Sequence, residues 1–217
     1  MKTSKKAKEA APKPEKLGER FNRAFLFAAK HHKGQARKKS TIPYIAHLIG
    51  VAGSVLEAGG DEDLAIAALL HDVVEDCGGK KMLAKVRHKF GKRVARIVDG
   101  CTDTYLDPKP EWRKRKEDYI RHLKDADADT RLVSAADKLN NVRSILADYR
   151  EMGDAIWDRF SGKREGTLWY YRTLRDEFLR DKLNRITRDL DLAVNELESL
   201  TNPKVMKARK SPAATGA

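Results

Sequence analysis

Cysteine is almost absent from the 217-residue chain: Cys77 and Cys101 are the only two. Their spacing matches no metal-binding pattern, which excludes a disulfide framework and fits a reducing, cytoplasmic setting. No stretch approaches the roughly 18 consecutive apolar residues of a membrane span, so no membrane partner is expected. The basic opening from Met1 to Lys16 has no apolar stretch behind it and does not read as a secretory signal. Period-two alternation with β-branched residues is missing, so no sheet is expected, and there is no internal repeat. Gly50-Val-Ala-Gly53 and Gly78-Gly-Lys80 lack the order of a phosphate-cradling P-loop. With 41% hydrophobic and 35% charged residues, the chain is neither low-complexity nor collagen-like.

What is present is charge, unevenly placed. Of the net +13, residues 1–16 hold +4, from six lysines against Glu9 and Glu15. Residues 202–217 hold another +4, and the 185 residues between them only +5. Tails rich in Lys, Ala and Pro cannot bury enough apolar surface to order themselves. The expected organisation is one folded domain over residues 18–200, between basic tails at 1–17 and 201–217. The tails read as solubilising, with nucleic acid the weaker expectation as a partner. A mildly basic domain suits an anionic small molecule.

Between the tails the spacing predicts helix after helix, an all-α fold. Phe21 to His32 closes at Gly34, and Pro43 to Ala58 stops at Gly59-Gly60. Asp61 is the expected N-cap of a helix over Glu62 to Cys77 that ends at Gly78-Gly79. Further helices are expected near 81–90, 92–102, 112–124, 129–149, 154–160 and 166–198, with the proline-containing 105–110 as a loop.

The helix expected from Leu64 onward carries the chemistry. Its first half is apolar on every face and therefore buried. Its second half presents His71, Asp72, Glu75 and Asp76, and on a continuous helix residues three and four apart are neighbours. Three carboxylates near a helix C-terminus repel one another and oppose the macrodipole, and a bound divalent cation removes both objections. The competing reading is a solvated helix end. His47 lies in the first turns of an otherwise apolar helix. Asp137, Asn141 and Ser144 share one stripe of another. Singly, these read as a core histidine and a solvent-facing stripe. Together, His47, His71, Asp72 and Asp137 form a mixed nitrogen and oxygen set that suits Mn, Fe, Zn or Mg.

The order His47, His71-Asp72, Asp137 resembles the signature of the HD-domain metal-dependent phosphohydrolases. Four blocks narrow the resemblance: Gly34-Gln35-Ala-Arg37-Lys38, Pro43-Tyr44-Ile45-Ala-His47, His71-Asp72-Val-Val-Glu75-Asp76 and Ala136-Asp137-Lys-Leu-Asn-Asn141-Val-Arg143. They are similar to the hydrolase domain of the RelA/SpoT homologues, over about Arg20 to Phe178. The residues beyond are expected to be too few for that family's synthetase or regulatory domains. This points to its single-domain branch, the small alarmone hydrolases.

The resemblance implies an HD-domain helical bundle that removes the 3′-pyrophosphate from (p)ppGpp or (p)ppApp with bound Mn²⁺. It also implies that His47, His71, Asp72 and Asp137 hold the metal and that Glu75 and Asp76 are catalytic. Arg37, Lys38 and Asn141, with Ser144 a weaker companion, would meet the nucleotide. Arg115 and Lys116 follow the proline loop and are candidates for phosphate. In the aromatic segment after Trp157, Lys163, Trp169 and Tyr170 are candidates for base stacking and phosphate, with ordinary helix packing as the competing reading. His32 reads as a supporting residue rather than a ligand. Rival functions are hydrolysis of another nucleotide such as NADPH, or a non-catalytic module that binds alarmone or nucleic acid.

Overall fold

The structure is a computed structural model and describes residues 16–106, 108–181 and 183–202. The expected tails lie almost wholly outside these. Among the described residues the regular structure is helical, apart from an isolated antiparallel bridge between Ala36 and Pro43. In chain order the helices are α1 (Glu19–His31), α2 (Ile45–Glu57), α3 (Glu62–Leu70), α4 (Val73–Cys77) and α5 (Gly79–Phe90). They continue with α6 (Lys92–Cys101), α7 (Trp112–Lys124) and α8 (Ala128–Met152). A 3-10 helix (Gly153–Arg159), α9 (Lys163–Phe178) and α10 (Arg185–Leu200) complete the order.

Helix starts follow their capping chemistry. The Asp61 carboxylate accepts from the Leu64 N–H at 3.0 Å, Asp127 from Thr130 at 3.1 Å, and Glu111 from both Arg113 and Lys114. Each side chain satisfies a backbone donor the helix leaves open. The apolar helix α3 is buried from Leu64 to Leu70 and forms the axis of the domain. It packs against α1, α2, α6 and α8. The 25-residue α8 runs across α2, α3 and α6 on one side and meets α9 and α10 on the other. Close approach needs glycine at several places, two of them where α8 packs. A Cβ on Gly100 would fall 2.6 Å from the Thr130 side chain, and one on Gly50 would fall 2.4 Å from Asn140 Nδ2.

Two expected helices are each divided. The helix anticipated over Glu62–Cys77 stops at Leu70 and resumes at Val73, with His71 and Asp72 in the turn between. His71 Nδ1 donates to the Ala68 carbonyl at 2.8 Å, the acceptor that a continuous helix would give to the Asp72 N–H. The helix anticipated over 166–198 is α9 and α10. Buried Arg131 ends α9 by donating to the Glu177 carbonyl at 2.9 Å and to Asp181 at 2.6 Å. A capping box between Asn184 and Thr187 then starts α10.

Candidate active site

Three separated pieces of chain converge beside α3. His47 comes from the first turn of α2, His71 and Asp72 from the break between α3 and α4, and Asp137 from the middle of α8. His47 Nε2 lies 3.3 Å from His71 Nε2, 3.2 Å from Asp137 Oδ1 and 3.6 Å from Asp72 Oδ2. His71 Nε2 lies 3.0 Å from Asp72 Oδ2 and 3.6 Å from Asp137 Oδ1. Ligands about 2.1 Å from a common ion stand about 3.0 Å apart at a right angle and about 3.4 Å apart at the tetrahedral angle. The spacing of His47, His71 and Asp137 therefore suits one divalent cation, with Asp72 beside the two histidines but outside that closest trio. Candidate ligand atoms of His47, His71 and Asp137 all lie within 4.8 Å of one another.

The far sides of the ligands support the same reading. His47 Nδ1 is held by Asn140 Oδ1 at 2.6 Å, and His71 Nδ1 by the Ala68 carbonyl at 2.8 Å. Both acceptors can only take a proton, so each ring carries a hydrogen on Nδ1 and turns Nε2 into the cluster. Two Nε2 atoms facing each other across 3.3 Å beside two carboxylates leave room between them for positive charge. Asp137 Oδ1 also accepts from Asn141 Nδ2 at 2.5 Å, its Oδ2 pairs with Lys138, and Asp72 Oδ2 accepts from the Tyr44 hydroxyl at 2.6 Å.

Burial opposes protonating His47 and His71, but the neighbouring carboxylates of Asp72 and Asp137 prevail and hold both imidazoles above the ordinary histidine range. Burial likewise opposes ionising the two aspartates. His71 beside Asp72, and Lys138 with both histidines beside Asp137, keep them well below the usual carboxylate range. The cluster thus demands positive charge, supplied by protons or by a metal ion.

The acidic pair flanks this centre. Glu75 Oε1 pairs with Lys109 at 2.7 Å, and its Oε2 accepts from the Asp103 N–H at 3.1 Å. Asp76 Oδ2 accepts from Gln35 Nε2 at 2.8 Å. Burial and the adjacent Asp72 push the Asp76 carboxyl up, with Gln35 working in the opposite direction. Two cavities open beside the cluster and share Tyr44 and Asn141. One of about 240 Å³ is lined by Asp72, Glu75, Lys109, Arg115, Lys116, Lys138 and Tyr170, among others. The other, of about 430 Å³, is lined by Arg37, Lys38, Ser144, Arg159, Phe160 and Tyr171, among others.

Most of the residues expected from sequence meet here. Arg37, Lys38, Asn141 and Ser144 line the larger cavity, with Arg37 donating to Asn141 at 2.7 Å, while Arg115, Lys116 and Tyr170 line the smaller. Arg115 and Lys116 both pair with Asp103.

Lys163 and Trp169 line neither cavity. Lys163 is exposed at the start of α9 and pairs with Asp158 at 2.9 Å. The Trp169 ring packs against α7 instead, where the Arg113 guanidinium lies 3.3 Å from its centre. The sequence assigned no site role to Tyr44, Asn140, Lys109 or Lys138, although Tyr44 and Asn140 lie in the motif blocks. Asn140 and Lys138 flank a ligand stripe, and their side chains reach the site by turning toward α2 and α7.

The packing of this all-helical domain brings His47, His71 and Asp137 close enough together to hold a metal ion, with Asp72 alongside. The chain belongs to the HD domain family, whose model matches residues 24–168. It is 40% identical over 122 residues to a guanosine-3′,5′-bis(diphosphate) 3′-pyrophosphohydrolase of Xenopus tropicalis, covering 55% of this chain and 65% of that protein. It is 35% identical over 130 residues to the enzyme of that name from Aquifex aeolicus, covering 58% of this chain and 18% of the relative. The chain thus spans less than two thirds of the curated relatives it matches. Among solved structures, a metazoan ortholog of SpoT that hydrolyses ppGpp superposes with a TM-score of 0.69 at 27% identity. That match covers 87% of this chain and 98% of the other.

Proposed function

We propose that the chain is a metal-dependent phosphohydrolase that removes the 3′-pyrophosphate of alarmone nucleotides, (p)ppGpp or (p)ppApp. The observation that carries this reading is the cluster itself: two histidines with Nδ1 committed elsewhere turn Nε2 toward two buried or half-buried carboxylates, with an acidic pair alongside. The relatives named for this reaction support it.

In this reading His47, His71, Asp72 and Asp137 hold the ion, Mn²⁺ being the one the family resemblance implies. When bound, such an ion lowers the pKa of water and withdraws charge from phosphoryl oxygens. The rest falls to the chain. Glu75 or Asp76 orients the attacking water and takes its proton, as the bond between phosphorus and O3′ breaks and O3′ is protonated. Lys109, Arg115, Lys116 and Lys138, each resting on a carboxylate, stand around the smaller cavity and would neutralise the departing pyrophosphate. Arg37, Lys38 and Asn141 would position the nucleoside side of the substrate from the larger cavity, where Phe160 and Tyr171 offer apolar and aromatic surface. The location we infer is the cytoplasm. No helix among the described residues is long and apolar enough to cross a membrane, and both cysteines are free thiols.

The test is incubation with ppGpp, ppApp and NADPH in Mn²⁺, with products resolved by anion-exchange chromatography. Release of pyrophosphate and a nucleoside 5′-phosphate from ppGpp or ppApp is expected. Turnover of NADPH alone, or of none of the three, would contradict the assignment.

A further inference from the structure

Behind the acidic pair lies a buried imidazole that none of the roles above employs. His32, the residue that closes α1, is 3% exposed. Its Nδ1 stands 2.7 Å from Gln35 Oε1. An amide oxygen only accepts, so Nδ1 carries the ring's proton and Nε2 is left as a bare lone pair. That Nε2 is buried and has no hydrogen-bond partner. An apolar side chain would fill the space without stranding a nitrogen, so packing alone does not account for an imidazole here.

What the ring does touch leads outward to the site by two routes. Through Gln35 it fixes an amide: with Oε1 taken by His32, the Nε2 hydrogens must face the other way. There Gln35 Nε2 donates to Asp76 Oδ2 at 2.8 Å. This is the one side-chain hydrogen bond to Asp76 among the described residues. Through its face the ring stacks on Tyr44, with centroids 5.1 Å apart and planes 19° from parallel, and the Tyr44 hydroxyl donates to Asp72 Oδ2 at 2.6 Å. The backbone keeps the two routes in register. Gln35 N–H donates to the His32 carbonyl at 3.0 Å, and Tyr44 N–H to the Gln35 carbonyl at 2.9 Å.

We propose that His32 and Gln35 are a positioning pair, in which the buried imidazole sets the Gln35 amide so that it presents Asp76 to the reaction centre. Asp76 is exposed to solvent, and among the described residues no side chain other than Gln35 fixes its rotamer. A carboxylate that must meet one water in one orientation loses rate when it is free to turn. The inference rests on the proposed catalytic role of the acidic pair and adds to it the residues that hold Asp76 in place.

The experiment is a double-mutant cycle on the full chain with Gln35→Ala, His32→Phe and the double variant, and with Asp76→Asn as reference. Phenylalanine keeps the ring on Tyr44 and removes both ring nitrogens, of which Nδ1 is the one that meets Gln35 and lies 4.0 Å from Cys77 Sγ. Each variant is followed by kcat and KM on ppGpp, by Mn²⁺ titration calorimetry and by thermal melting. Gln35→Ala should lower kcat by about tenfold to a hundredfold while KM moves less than about twofold and the Mn²⁺ stoichiometry stays as in the parent. His32→Phe should fall in the same direction, and the double variant should be no slower than Gln35→Ala alone, because both changes release the same carboxylate. Additive losses, or losses matched by falling melting temperatures, would show that His32 serves only the fold. A Gln35→Ala enzyme with the parent's kcat, beside an Asp76→Asn enzyme that has collapsed, would overturn the positioning role and leave the acidic pair standing. An unimpaired Asp76→Asn enzyme would instead overturn the catalytic role on which the inference depends.

Discussion

Helix α8 carries two buried charges less than two turns apart, Arg131 and Asp137, and the fold treats them oppositely. Arg131 is 8% exposed, and its guanidinium ends on acceptors the fold already supplies: the carbonyls of Leu123 and Glu177 and the carboxylate of Asp181. It fastens the ends of α7 and α9, and nothing from outside is wanted. Asp137 is equally buried, but its Oδ1 lies among the facing nitrogens of His47 and His71. The arrangement around Arg131 is closed, whereas in the proposed function the one around Asp137 is completed by a bound ion. That difference separates a structural buried charge from a functional one more surely than burial or any pKa shift does.

Substitutions should sharpen the contrast. Arg131→Ala removes a buried guanidinium from the Leu123 and Glu177 carbonyls and from the carboxylates of Glu177 and Asp181, and should cost about 3–5 kcal/mol of stability by denaturant unfolding. Any folded fraction should still bind Mn²⁺, and normal stability would mean that the helix ends are held by something else. Glu75→Ala should do the reverse. Turnover should fall on the order of a hundredfold with melting temperature and Mn²⁺ binding close to the parent, and an unchanged rate would remove Glu75 from the chemistry. Gly50→Ala places a methyl group on Asn140, the residue that orients His47. Mn²⁺ affinity by calorimetry should weaken by about tenfold to a hundredfold, as for other losses of a residue that orients a ligand. The smallest effect belongs to Lys163→Ala, which removes an exposed pair with Asp158. Activity and stability should stay within error of the parent, and a clear rise in KM would bring α9 into the substrate site after all.

The same contrast explains what the sequence made legible. An α-helical domain followed from the 3.6-residue periodicity and from stop and start signals such as Gly59-Gly60 and Asp61. The ligand set was legible because only His, Asp and their kind suit such an ion, and His71-Asp72 stands out against an apolar helix. The break at His71 was hidden because its cause is a side chain competing for the Ala68 carbonyl, which no propensity scale registers. The division of α9 from α10 was hidden because Arg131, some 50 residues upstream, ends α9. Aromatic and basic residues alternate after Trp157 whether they face a nucleotide or a neighbouring helix. Tyr170 and Tyr171 reached a cavity while Trp169 packed on Arg113, because helical rotation points adjacent residues different ways. Asn140 was passed over because its role depends on an absent atom, the Cβ that Gly50 lacks.

The claim beneath all of this is that four side chains from three separated segments form one binding site for a divalent cation. Titration calorimetry of the metal-stripped protein and its Asp137→Asn variant with Mn²⁺ tests it most directly, with melting curves run in parallel. The account predicts one ion per chain in the parent, and in the variant an affinity weaker by about a hundredfold or more with the fold intact. A folded Asp137→Asn protein that binds one Mn²⁺ as tightly as the parent would contradict it.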